Sequence, residues 1–274
     1  MIKKILTKIA FWCIIFFEGG DGMLELLKNA LHHMERPEPW GAFHLTFFVI
    51  GIPLAICAAF LLRKLSGKAE KRLYLTVGIL LIASEVFKQL AFTAVEGSYR
   101  FDLIPFQLCS IPMYLCILIG IMPEKRFVRA SKTFIATFGL MGGVASYISP
   151  GSMMRDYFEL TLHSFLWHLT LIFLGFFVLF SLKERFTLRD FRDALLLYLS
   201  LCAIALVINL LCINAPGRDV NMFYIGPKPS NLPVCREITA RFGVAVNSIL
   251  YVTALSTCAG LVYCLGKLLT INNR

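Results

Sequence analysis

The run Leu195-Leu-Leu-Tyr-Leu-Ser-Leu-Cys-Ala-Ile-Ala-Leu-Val-Ile-Asn-Leu-Leu211 decides the fold. It holds no charge, and it is apolar on every face rather than along one stripe. A second run, Leu171–Leu182, reads the same way. An outer-membrane barrel would alternate apolar and polar residues along its strands, and these runs do not. The whole chain agrees. Of its 274 residues 58% are hydrophobic and 16% charged, with a mean hydropathy of +0.73. A soluble domain carries about a quarter charged residues, so a water-soluble enzyme, a disordered chain, a coiled coil and a disulfide scaffold are excluded. The reading is all-α: a polytopic integral membrane bundle.

Seven stretches offer the roughly 20 apolar residues that a crossing needs: Phe43–Leu62, Leu73–Phe92, Leu103–Met122, Ser131–Ile148, Phe158–Leu182, Phe191–Ile213 and Phe242–Leu265. They set a transmembrane domain over 42–268, after an N-terminal segment over 1–41 and before a tail over 269–274. In the N-terminal segment, Lys3, Lys4 and Lys8 precede apolar Ile9–Phe17, and no signal-peptide cleavage site follows. Met23–Met34 reads as an interfacial amphipathic helix with Met23, Leu26, Leu27, Ala30 and Leu31 on one face.

Basic residues cluster in three loops, Arg63–Arg72, Lys125–Lys132 and Lys183–Arg192, while the short alternate loops hold Arg100 and Arg155. The basic loops are therefore expected on the cytoplasmic side, with the C-terminus. The net charge of +10 is a topology and headgroup signal, and no nucleic-acid partner is expected. The N-terminal lysines run against that orientation.

Nine cysteines, Cys13, Cys57, Cys109, Cys116, Cys202, Cys212, Cys235, Cys258 and Cys264, show neither CxxC nor zinc spacing. Most read as small buried hydrophobes. No metal or diffusible cofactor is implied.

Polar groups at membrane depth are costly and are candidates for function. Glu85, Lys88 and Gln89 share a helix face at i, i+3 and i+4, as a self-neutralising set or a cavity wall. The third span opens Leu103-Ile-Pro-Phe-Gln-Leu-Cys-Ser110, placing Gln107 and Cys109 in its first turns. Pro112 is expected to remove a hydrogen bond to the Leu108 carbonyl and kink the helix. A helix N-terminal end favours a thiolate at Cys109 and burial in lipid opposes it. In the fifth span, His163 and His168 lie about 140° apart, so at most one should face a given cavity squarely. That spacing argues against a shared metal site, and either histidine can equally be a structural hydrogen bonder. Asn209 and Asn214 close the sixth span, as interhelical contacts or site residues. Under one topology all these groups fall in the outer half of the membrane. Thiol, imidazole, amides and acid are the parts of a Cys/His acyl-transfer site, and a transporter cavity could present the same groups.

Ser84-Glu-Val-Phe-Lys-Gln89, Ile104-Pro-Phe-Gln-Leu-Cys-Ser110, Phe138-Gly-Leu-Met-Gly-Gly-Val144 with Ser149-Pro150, and Phe165-Leu-Trp-His-Leu169 form an ordered series. Asn209-Leu-Leu-Cys-Ile-Asn214 and the Gly226-Pro-Lys-Pro-Ser230 loop extend it. Over about Phe43 to Leu265 the chain resembles the bacterial YwaF-type membrane proteins and the transmembrane protein 164 family. The resemblance implies a multi-span fold. From the family's animal branch it implies transfer of fatty acyl chains onto lysophospholipids through an intramembrane cysteine. It places that cysteine at Cys109 and the family histidine at His168 rather than His163. Bacterial members often have His where Gln107 stands, so a proton carrier at that position is not carried over.

The function expected is a phospholipid acyltransferase or transacylase in the cell membrane. Cys109 and His168 would be catalytic. Gln107 and Asn209 would orient groups or donate to an oxyanion, Glu85 would position its neighbours or fix a histidine tautomer, and His163 and Asn214 would bind or orient the substrate. The alternative is a non-enzymatic carrier or receptor for a lipid or small amphiphile, with Glu85 and Lys88 as binding charges. The oligomeric state is not legible.

Overall fold

In the computed structural model, residues 21–181, 187–216, 219–229 and 232–271 are described. The Lys3–Lys8 cluster, Ile9–Phe17, Lys183, Arg185 and Arg274 lie outside them. The described residues form an all-α bundle with one isolated β-bridge, between His33 and Tyr157.

Helix α1 is Asp21–Ala30. Helix α2 spans Ala42–Leu62, with a π-helical turn at Phe47–Gly51. Helix α3 is Lys68–Glu96, and Gly97, left-handed at φ 71°, caps its end. Helix α4 is Ile111–Ile121 after the 3-10 turn Leu108–Ser110. Helix α5 joins Arg126–Phe134, a π-helical turn Ile135–Gly139 and Leu140–Ile148. Helix α6 is Phe158–Phe180, α7 is Leu188–Leu211, and α8 is Pro233–Ile271 with a break at Gly243 (φ 83°).

By length and composition α2, α3, α6, α7 and α8 can each cross a membrane. The expected count of seven full crossings is not confirmed. Segment Leu108–Ile121 is about 21 Å long, shorter than the roughly 30 Å hydrocarbon core. The third span therefore does not start at Leu103. Pro112 stands in the first turn of α4, where no backbone donor is needed, so it starts this helix instead of kinking it. Helix α5 is the bundle's axis: Ala130 to Leu140 is buried without interruption, Lys132 included.

That buried lysine explains the basic end. Lys132 Nζ reaches Glu70 at 2.8 Å and Glu124 at 3.1 Å. Arg129 makes a fork to Asp190 at 2.9 and 2.7 Å, and Arg126 Nη2 donates to Asp193 at 2.7 Å. Thr187 and Asp190 form a reciprocal cap at the start of α7. Expected as solvated topology signals, several of these charges instead tie α5 to α3 and α7, because acids on the neighbouring helices face them.

At the opposite end, Leu27 and Leu31 pack on Ala91, Phe92 and Leu160. Met34 N–H donates to Asp156 C=O at 2.9 Å and Phe158 N–H to His32 C=O at 2.9 Å, strapping the segment after α1 across the start of α6. Met23 and Leu26 stay exposed, so only part of the expected apolar face is used within the chain.

Candidate functional site

At the end of the bundle away from the charge clusters, a cavity of about 350 Å³ opens among α3, α5, α6, α8 and the turn that leads into α4. Its wall includes Glu85, Lys88, Gln107, Cys109, His163 and His168. Five of the seven residues singled out from sequence are thus brought to one space; Asn209 and Asn214 are not.

Cys109 lies in the 3-10 turn that leads into α4, half-buried against Leu81, Met113, Trp167 and Leu171. Its backbone is fixed from α6: Trp167 Nε1–H donates to the Cys109 carbonyl at 3.0 Å. The next residue, His168, lines the same cavity. Its Nδ1 is 2.7 Å from the Ser164 carbonyl. A carbonyl only accepts, so Nδ1 carries the hydrogen and neutral His168 keeps a lone pair on Nε2. The α6 backbone therefore sets this tautomer, a task the sequence reading gave to Glu85. Gly143 sets the approach of α5: a Cβ there would lie 3.1 Å from the His168 carbonyl and 3.0 Å from Ile172.

His163 also lines the cavity, so the cavity wraps far enough round α6 to take both histidines. Neither ring nitrogen of His163 has a hydrogen bond of ordinary geometry, and both are buried. Its ring lies 5.5 Å from that of Trp167. Glu85 is buried and held by its own helix, with Lys88 Nζ at 2.8 Å and Gln89 Nε2 at 2.6 Å. Gln89 also donates to the Leu103 carbonyl at 2.6 Å.

Gln107 and Asn209 both hold the loop after α7. Gln107 Nε2 donates to Asn221 C=O at 3.0 Å, and its Oε1 accepts from Phe223 N–H at 2.9 Å. Fully buried Asn209 donates to Met222 C=O at 3.0 Å and accepts from Met222 N–H at 2.6 Å. Of these two amides, Asn209 is buried outside the cavity lining, while Gln107 lines the cavity and keeps a second Nε2 hydrogen. The loop needs them: Phe223 (φ 56°) and Tyr224 (φ 55°) are left-handed, a conformation that persists only where the surroundings over-determine it. Gly226 admits the clamp, since a Cβ there would lie 2.9 Å from Asn221 Oδ1 and 3.1 Å from Asn209 Nδ2. The outcome is that Tyr224 is set in the cavity wall, beside Tyr251 at 6.1 Å between ring centroids. Asn214 is exposed, past the end of α7.

Sequence reasoning missed Tyr224, Tyr251 and Arg155 as cavity residues. Arg155 was read only as a loop charge, and no local pattern marks Tyr224. The loop's amide clamp could not be found without the partners. Among the described residues, no three His, Cys, Asp or Glu side chains gather to hold a metal ion.

These features define a class: an α-helical integral membrane protein with a polar cavity enclosed near one end of its bundle. The sequence matches the TMEM164 family over residues 38–262, and the chain belongs to that family. The match bears on the transmembrane protein 164 part of the resemblance and not on the YwaF part. No curated protein and no solved structure matches the chain significantly.

Proposed function

We propose that this protein is a lipid acyltransferase of the cell membrane, with Cys109 as nucleophile, His168 as base, and phospholipid and lysophospholipid as substrates. The observation that supports the reading is that Cys109 and His168 line one cavity. Adjacent residues of α6 fix the Cys109 carbonyl and present a bare imidazole nitrogen. His168 Nε2 removes the thiol proton, and the sulfur attacks the ester carbonyl carbon. The C–O bond breaks, His168 returns the proton to the departing lysophospholipid oxygen, and the acyl chain stays on sulfur as a thioester. An acceptor lysophospholipid hydroxyl then gives its proton to His168 and attacks the thioester, re-forming the thiol. Lys88 is a cation of the same cavity and supports the oxyanion. Membrane lipids reach such a site directly through the bundle. The basic loops and the C-terminus are assigned to the cytoplasm, which puts the cavity in the outer half of the membrane.

The test is acyl exchange onto lysophospholipid in nanodiscs. Cys109→Ser and His168→Ala lose the reaction to a similar extent, because the two act as a unit. Cys116→Ser, buried deeper in α4, retains it. Full activity in Cys109→Ser refutes the assignment. A second reading, a carrier or receptor for an amphiphile, is favoured by the buried His163 ring, neither of whose nitrogens makes a hydrogen bond of ordinary geometry, beside Lys88. It requires Glu85 and Lys88 substitutions to hurt most and Cys109→Ser to be silent.

A further inference from the structure

A second, larger hollow of about 740 Å³ lies between α2, α3 and α6. Helix α2 packs along α6 and α3 packs along α4, while α2 and α3 make slight contact at most, so a furrow stays open between them. Gly51, Ala55 and Ala58 of α2 line it, and Leu54 (63% exposed) and Leu80 (62%) stand at its margins. Two of its three hydroxyls are turned to their own helices: Thr46 Oγ1 donates to Ala42 C=O at 2.8 Å and Thr170 Oγ1 to Leu166 C=O at 2.9 Å, and the third belongs to Ser84. The furrow therefore offers mostly apolar surface, with no charged side chain in its lining.

Two observations say what fits. The furrow adjoins the polar cavity: Trp167 lines both, and its indole N–H is the group bonded to the Cys109 carbonyl. From Thr46 at the cavity end to Ala58 at the far end it follows α2 for about 18 Å, close to the roughly 15 Å hydrocarbon depth of one leaflet. We infer that this furrow holds the acyl chain of the lipid whose ester reaches Cys109, with the carbonyl beside Trp167 and the chain end near Ala58, Val77 and Phe173. This rests on the acyl-transfer reading and adds a chain-length ruler to it. Because the furrow is open to lipid along one side, the chain enters sideways without leaving hydrocarbon.

The experiment uses the full chain in nanodiscs doped with a phosphatidylcholine carrying a diazirine at its acyl end. The photolabel is mapped by peptide mass spectrometry, and turnover is measured with dilauroyl and distearoyl donors. Label is expected on the α2 peptide holding Ala55 and Ala58 and on the α3 peptide holding Val77, competed by unlabelled distearoyl lipid. Ala58→Phe is expected to remove the competed label. It is also expected to lower the distearoyl-to-dilauroyl turnover ratio by about tenfold, the scale on which apolar pockets read chain length. Leu210→Phe, on the lipid-facing side of α7, leaves both readings unchanged. Labelling that no lipid competes, equal to that on α7 and indifferent to Ala58→Phe, overturns the furrow even if turnover is normal. Competed labelling with no turnover in the wild type keeps the furrow and sinks the transfer reading.

Discussion

Asn209 and Asn214 are chemically alike and five residues apart, yet their replacements should behave in opposite ways. Asn209→Ala removes two hydrogen bonds of 3.0 and 2.6 Å to Met222, with both residues fully buried. Each bond contributes about 0.5–1.5 kcal/mol net, and each backbone group left bare in the interior costs about 1–3 kcal/mol. With two such groups bared, the loop's native geometry loses about 2–6 kcal/mol. Against this stands the strain at Phe223 and Tyr224, about 1–3 kcal/mol each. With Gln107 alone holding the loop, relaxing those two residues becomes the easier course, and Tyr224 leaves the cavity wall. The change should appear as local opening. Hydrogen exchange at the Met222 and Phe223 amides should accelerate at least about tenfold, the equivalent of about 1.4 kcal/mol, while amides at the buried centre of α5 keep their protection. Asn214→Ala, exposed beyond α7, should change neither stability nor exchange by more than about 0.5 kcal/mol. Unchanged protection at Met222 in Asn209→Ala, or equal effects of the two variants, would refute the clamp.

Gly143→Val should drive a side chain against the His168 carbonyl and Ile172, lowering acyl transfer far more than it lowers detergent-extracted yield; paired activity and yield measurements check this. Glu70→Gln should destabilise the protein, since it breaks one of the two ion pairs of a lysine that is only 2% exposed, with a loss below the roughly 3–5 kcal/mol of a buried charge left unpaired because Glu124 remains. Adding Lys132→Met should recover most of that loss in a thermal-unfolding series. Trp167→Phe keeps an aromatic ring, though a smaller one, and deletes the bond to the Cys109 carbonyl. Transfer should fall by up to about 100-fold through misplacement of the nucleophile, with the melting temperature little changed.

The helical bundle was legible because lipid leaves the backbone few alternatives and long apolar runs are unmistakable. Where each helix starts was less legible. Pro112 reads equally as a kink or a helix start, and only the extended backbone at Gln107 (φ −84°, ψ 160°) shows which. The cavity was legible as a set of costly polar groups at one depth, which is how Glu85, Gln107, Cys109, His163 and His168 came to notice together. The roles of Gln107 and Asn209 were not legible, because an amide reads alike whether it faces a substrate or a backbone. Their partners, Asn221 to Phe223, sit in a loop without hydrophobic period. Tyr224 and Arg155 were hidden for the same reason.

The central claim is that Cys109 carries an acyl group through a thioester. Intact-protein mass spectrometry of the chain incubated with phospholipid, before acceptor is added, tests it most directly. The account predicts a hydroxylamine-labile fatty acyl adduct that maps to Cys109, disappears when lysophospholipid is supplied, and is absent from Cys109→Ser. An adduct that persists in Cys109→Ser, or a wild type that transfers chains while Cys109 remains unmodified and freely alkylated, would contradict it.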